Sequence, residues 1–213
     1  MPPRMQFAAK NFEYDVARII PFLTQLPAGA SAWDFYRIWV IHNDGAKPEN
    51  FDVDAAGLTA ALAVTDASDV IWMPPCSITL SFTLPAGAGM ASMANDAIIV
   101  GTVTLGGDNS YMQSMVIAPS VNNSSPVYGV IGPSATDAVA VLNNCLIRVT
   151  QAGSGNAYGA RQPDAVADLL VFNCDVEATS TGGSGYGGAW SGDGRLYAKG
   201  GNMHGSTDVS IEI

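Results

Sequence analysis

Charge is scarce in this chain, and positive charge scarcest. Only 13% of its 213 residues are charged, with 9 basic against 19 acidic side chains and a net charge of −10. Such a balance argues against nucleic acid or an anionic membrane surface as partner, because both repel acidic surfaces. It also leaves too few side chains for the charge-laced helices of a bundle. Cysteine is rarer still: Cys76, Cys145 and Cys174 make no metal or redox spacing. The two histidines, His42 and His204, lie far apart with no serine or cysteine beside them to build a triad. No apolar run reaches ~18 residues, and Met1–Phe7 lacks the apolar core of a signal peptide. Neither membrane insertion nor ordinary secretion is therefore expected, and no cofactor or metal.

What the chain has in quantity is glycine, 23 residues, and apolar side chains, 48% of the total. That is the composition of buried strands joined by tight turns. One pattern occurs twice. Val141-Leu142-Asn143-Asn144-Cys145-Leu146-Ile147-Arg148-Val149-Thr150 aligns with Leu170-Val171-Phe172-Asn173-Cys174-Asp175-Val176-Glu177-Ala178-Thr179, offset by 174 − 145 = 29 residues. The likeness continues into Asn156-Ala157-Tyr158-Gly159 and Gly185-Tyr186-Gly187. A weaker third copy, Leu196–Met203, puts Gly201 where the cysteines stand. Repeats of this size are the mark of stacked supersecondary units. Strict alternation is expected to carry Val141, Asn143, Cys145, Ile147 and Val149 on one face, and Leu170, Phe172, Cys174, Val176 and Ala178 likewise. Stacked as coils, the copies set Cys145 over Cys174, Asn144 over Asn173 as corner residues, and Arg148 over Glu177 as an exposed pair. Two core thiols are expected, although the stacking distance also permits a disulfide. Two strands of an ordinary sandwich that share Asn-Cys remain the alternative.

Residues 1–48 share nothing with the repeat. Asn11–Ile20 reads as a helix capped by Asn11 and stopped by Pro21, and Trp33–His42 as a strand closed by Asn43-Asp44-Gly45. Between Asp54 and Ala63 the apolar period changes to about four, which predicts a short helix capped by Asp54. Asp69–Pro75 then predicts a buried strand, and Ser77–Leu84 an alternating one. A short Ala/Leu helix followed by Val-Ile-Trp-Met-Pro-Pro and Ile-Thr-Leu-Ser-Phe-Thr-Leu resembles the opening of pectin-lyase-like right-handed parallel β-helices, in particular bacteriophage tailspike and tail-fibre proteins. The resemblance covers about residues 50–213. It departs from the family at Cys76-Ser77-Ile78, where Gly-Thr-Tyr is usual, and in having fewer coils than the family's enzymes. The expected fold is all-β: a right-handed single-stranded parallel β-helix over 49–213, a capping helix near 54–63, and a small α+β segment over 1–48.

Asp164, Asp168, Asp175, Glu177, Asp193 and Asp208 are the available catalytic carboxylates, and no pair of them sits in a recognisable motif. Arg161-Gln162-Pro163-Asp164 is not the Arg-x-Pro-x-x-Arg setting of pectate lyases. The glycine-rich stretch 182–194 lacks the Lys-Ser/Thr of a phosphate loop. Sugar contact is instead expected at Tyr158, Tyr186, Trp190 and Asp193, since loops on a rigid scaffold collect binding residues. Phe7, Phe12, Tyr14, Phe22, Trp33, Phe35, Tyr36 and Trp39 are too many aromatics for a short segment to bury alone, so residues 1–48 are expected to mediate oligomerisation or docking. The resemblance implies a virion-surface structural and attachment protein, assembled in the host cytoplasm as a homo-oligomer, a trimer by analogy with spikes. It would contact other virion proteins through 1–48 and host-surface polysaccharide elsewhere. A polysaccharide depolymerase and a cell-surface filament or adhesin subunit are the alternatives, and no catalysis is expected from this chain alone.

Overall fold

The computed structural model of the chain describes residues 36–163, 166–191 and 193–206. The expected helix at Asn11–Ile20 and the aromatics Phe7, Phe12, Tyr14, Phe22, Trp33 and Phe35 lie outside the described residues. The described residues open with a hairpin, β1 (Ile38–Ile41) and β2 (Glu49–Phe51), so that β1 is shorter than the Trp33–His42 strand expected from composition. Helix α1 (Ala55–Val64) follows, with Asp54 as its N-cap accepting a 2.7 Å bond from the Gly57 amide. Its Leu58 and Ala61 are fully buried in the same core as Ile38 and Val40. Helix and hairpin thus close one end of the apolar interior. Residues 36–48, assigned from the sequence to the N-terminal segment, carry β1, and β1 pairs antiparallel with β3 (Val70–Trp72) of the main body.

From β3 onward the pairing is parallel and the strands come in triplets. The first is β3, β4 (Cys76–Ile78) and β5 (Phe82–Leu84). The second is β6 (Gly89–Ala91), β7 (Ala97–Ile99) and β8 (Val103–Leu105). Next come β9 (Tyr111–Gln113), β10 (Val116–Ile117), the short β11 (Ser120–Val121) and β12 (Val127–Ile131), then β13 (Val139–Asn143), β14 (Leu146–Gln151) and β15 (Ala157–Gln162). In the last turns β16 (Asp168–Ser180) runs through two positions before β17 (Gly185–Trp190), and β18 (Arg195–Gly205) covers β16. Stacking like on like makes three faces. The first is β3-β6-β9-β13-β16-β18, the second β4-β7-β10-β14-β16-β18, and the third β5-β8-β12-β15-β17. This is a single-stranded parallel β-helix, a β-solenoid.

Its interior is built of columns. On the second face Ile78, Ile99, Ile117, Ile147 and Val176 stand directly over one another, each at most 2% exposed. On the first, Ile71, Met90, Met112, Leu142 and Val171 do the same. Each such side chain contributes about 1.5–3 kcal/mol by leaving water. Cys145 and Cys174 are neighbours within this stack as free thiols, the Cys145 amide donating to Cys174 Sγ at 3.3 Å. Arg148 and Glu177 pair outside, 3.9 Å apart and more than half exposed.

Between the first and second faces, four successive coils turn on one left-handed residue each and the last on two. Asn95, Ser114, Asn144 and Asn173 hold φ between 52° and 57°, and Gly200 and Gly201 take 72° and 75°. Asn enters this left-handed region more readily than most L residues, and its short side chain bonds locally. Asn144 Nδ2 donates to Ser114 Oγ at 3.0 Å. At Gly201 a Cβ would strike the Cys174 carbonyl, which explains a glycine in the cysteine position.

The corners overturn the expected continuous alternation. After the turn, Cys145, Ile147, Val149, Cys174, Val176 and Ala178 face inward as expected, all at most 3% exposed. Before it, the inward residues are Ala140, Leu142, Leu169 and Val171, so Val141, Asn143, Leu170 and Phe172 point out. A left-handed residue breaks the two-residue period and shifts the phase by one. Ser77–Leu84 is similarly two strands rather than one, β4 and β5, in different faces around a corner at Thr79–Ser81. The first two coils are also shorter, with 89 − 70 = 19 and 111 − 89 = 22 residues between paired positions against 170 − 141 = 29 later, so their strands fall outside the period of the repeat.

Candidate functional site

The third face shows chemistry on its outside. Each of its later strands carries the same short unit, Val127-Tyr128-Gly129, Ala157-Tyr158-Gly159 and Gly185-Tyr186-Gly187, stacked in register. The glycine is required by the interior. A Cβ at Gly129 would collide with Ile147 and Val149, and one at Gly159 with Val176. With glycine turned inward, alternation sends the tyrosine out. The rings of Tyr128 and Tyr158, and of Tyr158 and Tyr186, have centroids 5.1 Å apart and planes 15° from parallel. A ladder of this kind stabilises its coils by about 0.5–1.5 kcal/mol per ring pair beyond burial.

Arg161 lies against the ladder. Its guanidinium carbon is 5.1 Å from the Tyr128 centroid and 5.4 Å from that of Tyr158, and Nη1 donates to the Tyr128 hydroxyl at 2.7 Å. Asn156 Nδ2 donates to the Tyr158 hydroxyl at 3.3 Å. Both faces of the Tyr158 ring are occupied by its neighbours, so the ladder offers hydroxyls and ring edges at steps of about 5 Å rather than open ring faces. The five strands of this face contain no Asp or Glu. Arg161 is thus a cation among neutral donors and acceptors, with a planar fork suited to carboxylates.

Of the residues expected at sugar, Tyr158 and Tyr186 stand together in the ladder. Trp190 ends β17 beside Gln162, 40% exposed, and Asp193 lies past it in the turn to β18, exposed. They sit at the opposite end of the strand from Tyr186. Tyr128 and Arg161 were not among the expected residues. Val127-Tyr128-Gly129, thirty residues before Ala157-Tyr158-Gly159 (158 − 128 = 30), held the signal for Tyr128. Of the docking aromatics that are described, Tyr36 is 58% exposed and Trp39 pairs with Asn50 and Trp72 across the hairpin and first strand.

Elsewhere the titratable groups serve the scaffold. His42 Nδ1 is 2.9 Å from Asp69 Oδ2 and Nε2 is 3.4 Å from Glu49 Oε1, tying the hairpin to the first coil. Burial by itself would lower its pKa, but the hydrogen bond and charge of Asp69, then those of Glu49, hold it above the ordinary 6.5. Asp168 bonds Arg195 Nε at 2.7 Å and Asp175 bonds Asn202 at 3.1 Å, so both carboxylates are engaged between coils. The Cys76 thiol is pushed up to about 11 by burial and the Asp96 charge, which makes it a poor nucleophile. Among the described residues no cluster of His, Cys, Asp or Glu could hold a metal ion, and no helix is long and apolar enough to cross a membrane. Compared with protein-family models, curated proteins and solved structures, the chain matches none.

Proposed function

We propose that this chain is a structural attachment protein of the tailspike and tail-fibre kind, carried on the surface of a bacterial virus and binding host-surface polysaccharide. The observation that carries the reading is the Tyr128–Tyr158–Tyr186 ladder with Arg161 on an otherwise neutral outer face. Evenly spaced hydroxyls complement the repeated hydroxyls of a glycan, and the guanidinium fork favours units bearing a carboxylate. A stacked solenoid holds these groups rigidly, so little ordering is needed on binding. The pectin-lyase-like resemblance supports the same reading, along with a right-handed coil, assembly in the host cytoplasm and association into a homo-oligomer, by analogy a trimer. A closed oligomer would also shield the strand edges exposed at a solenoid's end.

A depolymerase on the same scaffold has less behind it, because the strands carrying the ladder offer no carboxylate pair for glycoside hydrolysis. Full-length protein should bind carboxylated host-type polysaccharide in biolayer interferometry. Arg161→Ala and Tyr186→Ala should each weaken it about tenfold or more with the circular dichroism unchanged. Equal binding by both variants, or no binding to any surface glycan offered, would remove the reading. Release of reducing ends or unsaturated sugar would turn it to the depolymerase, and light scattering on the same sample reads the oligomer.

A further inference from the structure

Inside the solenoid two thiols stand side by side, apart from the outer ladder. Cys145 and Cys174 each follow a left-handed corner residue and lie one residue before the paired Leu146 and Asp175. Strands stacked at ~4.8 Å bring two such Cα atoms within the roughly 4.4–6.8 Å that a disulfide spans. Both thiols are free and at most 3% exposed. Their surroundings differ. Cys145 Sγ faces carbonyl oxygens, that of Asn143 at 3.4 Å and that of Met112 at 3.7 Å, which favour its S–H form. Cys174 Sγ accepts the Cys145 amide at 3.3 Å, while its own S–H reaches the Phe172 carbonyl at 3.2 Å. The Cys145 thiol also donates to Cys174. That bond, with the amide, holds the Cys174 thiol below its ordinary value despite burial and the Asp175 charge, and the same bond, with burial, holds Cys145 well above it. On its other side Cys174 stacks against Gly201, exposed and without a side chain.

We infer that Cys145 and Cys174 are a redox pair that closes into a disulfide between neighbouring coils when a peroxide reaches it. Burial selects the oxidant. Hydrogen peroxide is little larger than water, whereas a bulky disulfide such as oxidised glutathione cannot reach sulfurs so enclosed. The Cys174 thiolate attacks one peroxide oxygen and the O–O bond breaks, giving a sulfenic acid and a hydroxide that takes up the proton the thiol had lost. The Cys145 sulfur then attacks the Cys174 sulfur, the S–O bond breaks, and the hydroxyl leaves with the Cys145 proton as water. Two thiols and one peroxide thus give one disulfide and two waters. The bond spans 174 − 145 = 29 residues of sequence and ties two coils together through the core. Cys76 supplies the contrast, being more exposed but stacked on Ala97 rather than on a second sulfur. The inference stands whether or not the protein binds polysaccharide.

The test exposes the folded, full-length protein to hydrogen peroxide and maps its thiols by mass spectrometry after denaturation in an alkylating agent. A Cys145–Cys174 disulfide should form while Cys76 stays reduced, and the melting temperature should rise by about 5 °C or more. Oxidised glutathione should leave the pair unmodified until urea unfolds the chain. Cys145→Ser should trap the sulfenic acid on Cys174, where dimedone labels it, whereas Cys174→Ser should leave Cys145 a thiol. Core thiols that only fill space would do none of this in the folded state. Absence of the disulfide, faster oxidation of Cys76 than of the pair, a glutathione adduct on the folded chain, dimedone on Cys145 rather than Cys174, or an unraised melting temperature would each overturn the inference. If a serine variant fails to fold, alanine at the same position takes its place with the same expected outcomes.

Discussion

The outer surfaces of the first and third faces are built by one backbone rule and end in opposite states. On the third face glycine fills the inward position, so the outward residue is a tyrosine, half-buried, and at Tyr128 its hydroxyl accepts from Arg161. On the first face the interior is filled by Met90, Met112, Leu142 and Val171, and the outward residues are again apolar, Val141 and Leu170 among them. A strand apolar on both sides is a strand buried on both sides. The difference shows that a solenoid face is committed to a partner layer or to solvent by its outward row, since the inward rows of both faces are mainly apolar or glycine, with Gln162 a buried exception on the third.

The largest effect should come from removing what both faces share. Ile147→Asp places an unpaired carboxylate in the central aliphatic column and should cost about 4 kcal/mol or more. Loss of the cooperative thermal transition and of β-type circular dichroism would register it; a stable variant would contradict the columnar core. Leu170→Ala sharpens the contrast between faces. Although Leu170 points outward, its truncation should cost about 2–3 kcal/mol in urea unfolding, as for a core leucine. Thr150→Ala, equally outward on the second face, should stay within about 0.5 kcal/mol. Similar values for the two would erase the distinction.

On the third face the ladder predicts an order rather than a size. Tyr158→Ala breaks two ring contacts and should cost about 1–2 kcal/mol, more than Tyr186→Ala, which breaks one between described residues. A reversed order in melting temperature would show that the rings are not coupled. The smallest effect concerns His42, where the hairpin meets the first coil. Its folded pKa is raised, so its contribution is fully present below pH 6.5 and is lost as pH climbs through the folded value. The stability difference between the unaltered chain and His42→Gln should therefore shrink with rising pH from about 6.5 upward. A difference that grew with pH would mean that burial outweighs the two carboxylates.

Local chemistry made several of these features legible without coordinates. The Asp54 cap acts within one helical turn and the apolar period behind it over fewer than three, and α1 follows them closely. Asn144 and Asn173 could be read as corners because left-handed backbone selects few residue types, and the matched Asn-Cys pairs set the register that brings Arg148 to Glu177. Tyr158 and Tyr186 were visible in the repeat, whereas Tyr128 belongs to a copy whose flanking residues have diverged, and nothing local to Arg161 tells that its guanidinium lies on the rings.

The amino-acid sequence by itself determined the kind of fold and the pairing of its last coils, because turn residues and apolar alternation act over a few neighbours. Only the tertiary structure decided which side of each strand faces in. A single left-handed residue shifts the phase of everything after it, and Val141 and Leu170 look like core residues in either phase. Whether they fill the interior or await a second layer depends on what lies across from them in space, a contact between residues that the chain keeps far apart.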